Sequence, residues 1–187
     1  MTPAPAPSLP SPLLRPADLS GYGPLPAPAR PSDAELASLL GLLTTTRPRV
    51  QAVNLGHSRD EASRAAARAF AEAWRARGGT VLSITDWPEQ AASWLRPAQR
   101  LTAQAPDAWV VAAAPLGWVQ LARRLRHSTT WTPERTFGFA SLAEPRTIPL
   151  AGPATLDGLR GATADGGSWE VRAGWLTTRP PQDGLDQ

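Results

Sequence analysis

The feature that most constrains this chain is a regular alternation of short apolar runs with longer segments whose apolar residues recur at helical spacing. The apolar runs occupy residues 49–55, 80–84, 107–113 and 136–140. Strands and helices that alternate in this way form a parallel sheet, because each crossover returns the chain to the same edge. The sequence therefore predicts an α/β fold in which a parallel sheet of about four strands is flanked by helices, as in a Rossmann-like single lobe.

The starts of two helices are indicated by capping residues. Ser32 and Glu35 have the spacing of a capping box and precede leucines at helical spacing. Ser58 and Glu61 repeat this spacing before an Ala-rich segment that Gly78-Gly79 ends. We therefore expect helices to begin at Ser32 and at Ser58. Further helical segments are predicted over residues 90–104, 116–126 and 154–160.

The two ends of the chain differ from this pattern. Ten of the 21 prolines lie in the first 32 residues. Proline fixes φ and lacks an N–H, so we expect residues 1–31 to form a solvated, disordered leader without helix or central strand. The turn Asp165-Gly166-Gly167 precedes a segment with strand propensity, which predicts a C-terminal β arm. The predicted division is a leader at 1–31, an α/β lobe at 32–163, and a β arm with a polar tail at 164–187.

Composition excludes several classes of site. The 187 residues include no Cys and only two His, which removes disulfides, thiol nucleophiles and cysteine-based metal sites. The formal net charge is +3 and no basic cluster is present, so no nucleic-acid partner is predicted. No segment approaches the ~20 apolar residues of a membrane span. No phosphate-binding or dinucleotide motif occurs, and we predict no cofactor and no metal.

The first 20 residues lack the basic and apolar regions of a secretory signal. As written, the chain is therefore expected to be cytoplasmic. A truncated N-terminus would leave an extracytoplasmic location open.

Ligands of open α/β sheets bind at the carboxyl ends of the strands, so the loops after the four apolar runs form the candidate site. The first loop is the most polar, and backbone amides at a helix N-terminus favour an anion, which Arg59 could also grip. The alternative is that Ser58 is only a helix cap and that His57 and Arg59 are solvated. Trp87 and Trp118 could stack on a ligand or, alternatively, fill gaps among Ala side chains. The predicted ligand contacts are Asn54, His57, Ser58, Arg59, Trp87, Pro115, Trp118 and Ser141.

A catalytic alternative rests on the same loop. Gly56-His57-Ser58-Arg59 is similar to the start of a nucleophile elbow, although Asp60 replaces the second glycine. His127 is then the candidate base. This interpretation predicts a small serine hydrolase that uses Ser58.

Several stretches carry a family resemblance. They read FAEAWRARGGTVL, PDAWVVAAAPLGWVQLARRLR and LAGPATLDGLRGAT. Together they resemble one lobe of type 1 periplasmic-binding-like proteins, especially the substrate-binding proteins of branched-chain amino-acid ABC transporters. Residues 70–82 are also similar to the penicillin-binding-protein activator group. The resemblance covers about residues 30–163.

This resemblance implies a solute- or ligand-binding module without catalytic machinery. Its ligand would be a small molecule, such as an amino acid or a carboxylate. The chain has room for one lobe, so a homodimer or a partner chain would supply the second. A lone lobe is expected to expose an apolar face where its twin would pack. A structural interaction domain whose leader docks on another protein is a further alternative.

Overall fold

The computed structural model describes residues 14–181, and the outer parts of the predicted leader and tail lie outside this range. The helices are α1 (Pro16–Leu19), α2 (Asp33–Thr45), α3 (Glu61–Ala76), α4 (Leu95–Leu101), α5 (Pro115–Ser128) and α6 (Thr147–Ala151). The strands are β1 (Ala52–Ser58), β2 (Thr80–Trp87), β3 (Ala108–Ala112), β4 (Thr136–Gly138), β5 (Arg160–Ala162), β6 (Ser168–Arg172) and β7 (Trp175–Arg179). None of the helices within the described range is long and apolar enough to cross a bilayer.

The strands form a single seven-stranded sheet in the order β2-β1-β3-β4-β5-β6-β7. Strands β1 to β5 pair in parallel, whereas β6 and β7 add antiparallel hairpin strands at one edge. The predicted α/β class, its parallel sheet and its C-terminal β arm are confirmed. The sheet is larger than the predicted four strands, because β5 joins the parallel part and the arm continues the same sheet.

Strand β5 lies at the end of a segment that was predicted to be helical. Residues 154–159 form turns, and the chain then enters β5 at Arg160. A Cβ on Gly161 would lie 1.9 Å from the carbonyl oxygen of Gly138, so only glycine permits this close pairing with β4. A strand of three residues that depends on its neighbours has no periodic pattern of its own, which explains why the helix prediction at 154–160 is wrong.

Two apolar clusters cover the two faces of the sheet. On one face α4 and α5 pack over side chains such as Trp109 and Val111 of β3. On the other face α2 and α3 pack over Ala108 and Val110 of the same strand. Every residue of β3 is buried, as its apolar sequence predicts for a central strand.

The junction between β1 and α3 differs from the prediction. Ser58 is the last residue of β1 and lies opposite Trp87 of β2. The N-cap of α3 is Asp60, whose Oδ1 accepts a hydrogen bond from the Ser63 amide at 2.8 Å. The predicted capping box at Ser58 is therefore wrong, because pairing with β2 extends the strand past the local signal. The cap at Ser32 is confirmed, with its Oγ accepting from the Glu35 amide at 3.0 Å.

The described part of the leader packs against the lobe. Helix α1 contradicts the prediction of a helix-free leader, since proline is accepted in the first turn of a helix. The Arg146 guanidinium donates hydrogen bonds to the carbonyl oxygens of Tyr22 at 3.0 Å and Pro24 at 3.1 Å. The apolar side chains that pack against the core are those of Leu14, Leu19, Tyr22 and Leu25. The domain divisions at residues 31 and 163 remain predictions.

Candidate functional site

The parallel strands β1 to β4 end together, and the segments that follow them form what we call the strand-end edge. It consists of residues 57–60, 86–89, 113–117 and 139–141. This is the place where the sequence predicts a ligand site.

Ser58 connects two of these segments. Its hydroxyl donates a hydrogen bond to Asp60 Oδ2 at 2.6 Å and accepts one from the Ala114 amide at 2.8 Å. The Ser63 hydroxyl lies 3.0 Å from the same oxygen. Burial opposes ionisation of Asp60, but the hydrogen bonds from Ser58 and Ser63 outweigh it and lower the pKa of that carboxyl. The fully buried Ser58 therefore holds the edge together from within.

Glu89 occupies the N-terminal end of α5. Its Oε2 accepts a hydrogen bond from the Gly117 amide at 3.0 Å, while its Oε1 is buried and makes no hydrogen bond among the described residues. Burial raises the pKa of Glu89, and the negative charge of nearby Asp60 raises it further. A Cβ on Gly117 would lie 2.7 Å from Oε1, so glycine makes room for this carboxylate.

Glu35 binds a backbone amide just after the end of β4. It reaches from α2 to accept a hydrogen bond from the Ala140 amide at 2.6 Å, and burial raises its pKa. Each of the three segments that follow β1, β3 and β4 is therefore bound by one carboxylate of the chain: Asp60 after β1, Glu89 after β3 and Glu35 after β4. One amide in each segment is thus already bound by a carboxylate of the chain, and that of Ser63 belongs to the helix N-terminus at which the sequence predicts an external anion.

Arg59 and Asp86 form the exposed charged pair of the edge. Arg59 Nε lies 2.5 Å from Asp86 Oδ2, and the two side chains are 60% and 45% exposed. The hydrogen bond from Arg59 lowers the pKa of Asp86. Of the predicted contacts, Arg59 is the one whose charged group faces solvent at the edge.

The arrangement around Ser58 does not support the serine hydrolase. The Ser58 hydroxyl faces a carboxylate and a second hydroxyl, and it is fully buried. His57 directs Nδ1 to the Ser58 carbonyl oxygen at 2.9 Å, not to its hydroxyl. His127 is exposed in the last turn of α5, at the far end of a helix that begins at the edge. Neither imidazole is placed as a general base for Ser58.

Four more of the predicted contacts are buried, as Ser58 is. Asn54 is fully buried in β1 and donates two hydrogen bonds, to the carbonyl oxygens of Leu101 at 2.8 Å and Ala103 at 2.7 Å. Trp87 and Trp118 are both fully buried, and Pro115 is buried in the first turn of α5. The alternative in which both indoles fill the core is therefore the one this structure supports.

Glycine and a second indole explain the burial of these rings. A Cβ on Gly56 would lie 2.7 Å from Cζ3 of Trp87, so the bare backbone of β1 makes room for the ring. Trp118 packs edge-on against Trp131, with centroids 5.9 Å apart.

Ser141 lies at the edge but faces a small space. Its hydroxyl donates to the Ala113 carbonyl oxygen at 2.9 Å. It lines a cavity of about 50 Å³ that residues 28–30 of the leader help to enclose. Water occupies ~30 Å³ in the liquid, so this space accepts one or two waters and no amino acid.

The described residues expose few large apolar side chains, and the apolar face expected of a lone lobe stays a prediction. Among the described residues, the large apolar side chains that are exposed are Ile84, Leu95 and Trp175. None of them belongs to the strand-end edge. Nor does any group of three or more His, Asp or Glu side chains within residues 14–181 have an arrangement that could hold a metal ion.

Four acidic residues in or beside the edge are not among the predicted ligand contacts, namely Glu35, Asp60, Asp86 and Glu89. Glu35 and Asp60 carry signals only as helix-capping residues. Glu89 follows Pro88 in a stretch without periodicity, and only the tertiary fold brings it to the start of α5. An acidic residue shortly after a predicted strand is the one signal that could have identified Asp86.

The fold is similar to that of known ligand-binding proteins. A substrate-binding periplasmic protein from Ralstonia solanacearum matches with a TM-score of 0.61 and 17% identity, over 79% of this chain and 41% of that one. An extracellular ligand-binding receptor from Rhodopseudomonas palustris HaA2 matches with a TM-score of 0.55 and 18% identity, over 69% and 33% of the chains. No protein-family model matches the sequence, and no curated protein matches it significantly.

A third match is a branched-chain amino acid ABC transporter periplasmic ligand-binding protein from Burkholderia xenovorans LB400. Its TM-score is 0.56 at 11% identity, over 70% of this chain and 34% of that one. The predicted resemblance to one lobe of such proteins is confirmed at the level of the fold. The chain spans between about a third and two fifths of the length of these structures.

Proposed function

We propose that this chain is a non-catalytic ligand-binding lobe that recognises a small molecule at the strand-end edge. The observation that carries the proposal is the shared fold, since the similar structures are named as ligand-binding or substrate-binding proteins. The parallel order β2-β1-β3-β4-β5 supports it, because a sheet of this kind gathers its loops at one edge.

The charges of the edge favour a zwitterion as the ligand. One backbone amide after each of three strands is already bound by Asp60, Glu89 or Glu35, and these carboxylates oppose the approach of a lone anion. Arg59 and Asp86 are exposed and adjacent, one offering a guanidinium and the other a carboxylate. A free amino acid carries the two complementary groups, and its carboxylate can form paired hydrogen bonds with the guanidinium.

The energetic cost of recruiting this pair is small. Exposed ion pairs stabilise a fold by roughly 0–1 kcal/mol. Separating Arg59 from Asp86 so that each can bind a ligand group therefore costs little free energy. The cavity at Ser141 has a volume of about 50 Å³, which is too small to enclose an amino acid. We therefore propose that a second lobe, from another copy or from a partner chain, closes over the ligand.

A thermal-shift series with three compounds tests the ligand class. Leucine carries both charges, 4-methylpentanoate only the carboxylate, and 3-methylbutylamine only the ammonium group. A ligand at 100 times its Kd adds about 2.7 kcal/mol of stability, which raises the Tm by several degrees. We expect a shift with amino acids and none with either single-charge analogue.

Variants of the pair complete this test. Arg59→Ala and Asp86→Ala should each abolish the shift, whereas Arg49→Ala, which removes an exposed arginine just before β1, should leave it unchanged. Equal shifts with leucine and with 4-methylpentanoate would contradict recognition of a zwitterion. A flat result over the twenty amino acids and small carboxylates would contradict ligand binding by this lobe. Light scattering with the active compound then tests whether a second copy supplies the other lobe.

A further inference from the structure

One edge of the sheet ends in an open strand. Strand β2 is the outermost strand on its side, and no other strand of residues 14–181 pairs with its free edge. The residue pairing with β1 shifts near Val81, and from Ser83 to Trp87 the pairing is regular. Edge strands of this kind present unpaired backbone groups that can bind another extended segment.

The orientation of those backbone groups follows from one hydrogen bond. The Trp87 carbonyl oxygen accepts from the Arg59 amide at 3.0 Å, so residue 87 directs its backbone groups towards β1. Because successive residues of a strand alternate in direction, the N–H and C=O groups of Ile84 and Asp86 point away from the sheet. These four groups form a short template for one more strand.

Apolar side chains near this edge remain exposed. The Ile84 side chain is 51% exposed on β2, and Leu95 is 37% exposed at the start of α4, which contacts β2. They are two of the three large apolar side chains that the described chain exposes. Beside Ile84 lies a cavity of about 230 Å³ whose floor includes the small side chains of Ala67 and Ala71. This cavity has room for an apolar side chain from an added strand.

Positive charge surrounds the same edge on both faces. Helix α3 contributes Arg64, Arg68 and Arg75 to the rim of the cavity, with Glu72 as the acidic residue among them. Helix α4 covers the opposite face and carries two exposed arginines, Arg96 and Arg100, and no acidic residue. None of these five arginines takes part in an ion pair among the described residues.

We infer that the β2 edge is a docking site for an extended acidic segment of a partner protein, which adds to the sheet beside residues 83–87. Main-chain hydrogen bonds to Ile84 and Asp86 would hold the segment, an apolar side chain would enter the cavity at Ile84, and acidic side chains would meet the arginines of α3 and α4. A second copy of this chain fits less well as the partner, because pairing two β2 edges would bring the arginines of one copy close to the arginines of the other. The site shares residues 86 and 87 with the strand-end edge, but it uses the backbone groups of Asp86, whereas the ligand proposed at the edge uses the Asp86 carboxylate. The inference does not depend on that ligand.

The test measures binding of a labelled heptapeptide of alternating Val and Glu to the full chain by fluorescence polarisation. A peptide with Lys in place of Glu is the charge control. We expect the Glu peptide to bind and the Lys peptide not to bind. Binding should weaken from about 0.05 M to about 0.5 M NaCl, because salt screens exposed charges.

Two variants locate the site. Ile84→Pro removes an outward N–H while keeping the hydrogen bonds to β1, and it should abolish binding. The double variant Arg64→Glu with Arg68→Glu should weaken binding about tenfold or more and reduce its dependence on salt. The matched control is Arg126→Glu with Arg172→Glu, which changes the net charge equally on α5 and β6 and should leave binding unchanged. Circular dichroism checks folding, and the charge variants decide the matter if Ile84→Pro does not fold.

Three results would overturn the inference. One is failure of the Glu peptide to bind the unmodified chain. Another is equal weakening by the two double variants, which would indicate a general charge effect. The third is a dimer in light scattering that Ile84→Pro converts to a monomer, since a second copy would then be the occupant of the edge.

Discussion

The Ser58 hydroxyl donates a hydrogen bond of 2.6 Å to the Asp60 carboxylate, and this contact defines the junction between β1 and α3. Asp60 in turn caps the helix through the Ser63 amide. The same serine oxygen accepts from the Ala114 amide, so it also ties β1 to the segment after β3. One buried hydroxyl thus joins two segments of the strand-end edge.

Replacing Ser58 with Ala should destabilise the protein. The Ala114 amide would lose its acceptor and Asp60 would lose a donor in a buried setting, at a cost of about 1–3 kcal/mol. Urea denaturation measures the free energy of unfolding. Ser128→Ala, at an exposed serine in the last turn of α5, is the control and should have little effect. Equal stability of the two variants would show that the Ser58 contacts contribute nothing.

Glu89 should make the free energy of unfolding depend on pH. Its pKa is raised in the folded protein, so between its usual value of 4.5 and the higher folded value the native state holds more protons than the unfolded state. Glu89 therefore lowers the free energy of unfolding as pH rises through that window. Glu89→Gln should remove this contribution and make stability flatter above pH 4.5, as measured by urea denaturation at a series of pH values.

The control for this experiment is Gln99→Ala, at an exposed residue of α4 that carries no titratable group. It should leave the slope unchanged. A steeper fall in stability with pH in Glu89→Gln than in the unmodified chain would contradict the assignment.

Gly56 should not accept a side chain. An added Cβ would lie 2.7 and 2.8 Å from two atoms of the Trp87 ring, which is fully buried and cannot move away. Gly56→Ala should therefore cost about 1–3 kcal/mol by overpacking. Gly41 lies inside α2 with nothing within 4 Å of the added atom, so Gly41→Ala should stabilise the protein by roughly 0.5–1 kcal/mol. Opposite signs of the two changes in thermal denaturation are the expected result.

The features of the fold that follow from local patterns could be predicted from the sequence. Buried apolar strands such as β3 and the cap at Ser32 have local signals, and they occur where these signals indicate. The end of β1 could not be placed, because pairing of Ser58 with Trp87 outweighs a local capping pattern. Strand β5 could not be predicted for a related reason, since its three residues are extended because they pair with β4 and β6.

The candidate site was predicted less well than the fold. The strand-end location follows from topology, but burial decides which side chains are available there. The sequence does not indicate whether the rings of Trp87 and Trp118 are exposed or buried. Only tertiary packing shows that they are buried, Trp87 against Gly56 and Trp118 against Trp131. Glu89 is brought to α5 by a loop without periodicity, so its position depends on tertiary structure alone.

The leader contact at Arg146 gives the last prediction. Arg146 binds both oxygens of Glu144 at 2.8 and 3.0 Å and donates to the carbonyl oxygens of Tyr22 and Pro24. Glu144 thereby orients the guanidinium that holds the leader on the lobe. Arg146→Ala should release residues 22–24 while the two core clusters stay intact.

Limited chymotrypsin digestion measures this release, because cleavage after Tyr22 requires a mobile segment around it. We expect faster cleavage after Tyr22 in Arg146→Ala and an unchanged rate in Arg172→Ala, which removes an exposed ion pair with Glu170 instead. The free energy of unfolding should change little in Arg172→Ala, because an exposed pair contributes roughly 0–1 kcal/mol. It should fall more in Arg146→Ala, because the Glu144 side chain is only 12% exposed and loses its partner. Equal cleavage of the unmodified chain and Arg146→Ala would mean that the apolar side chains of the leader, rather than Arg146, keep it in place.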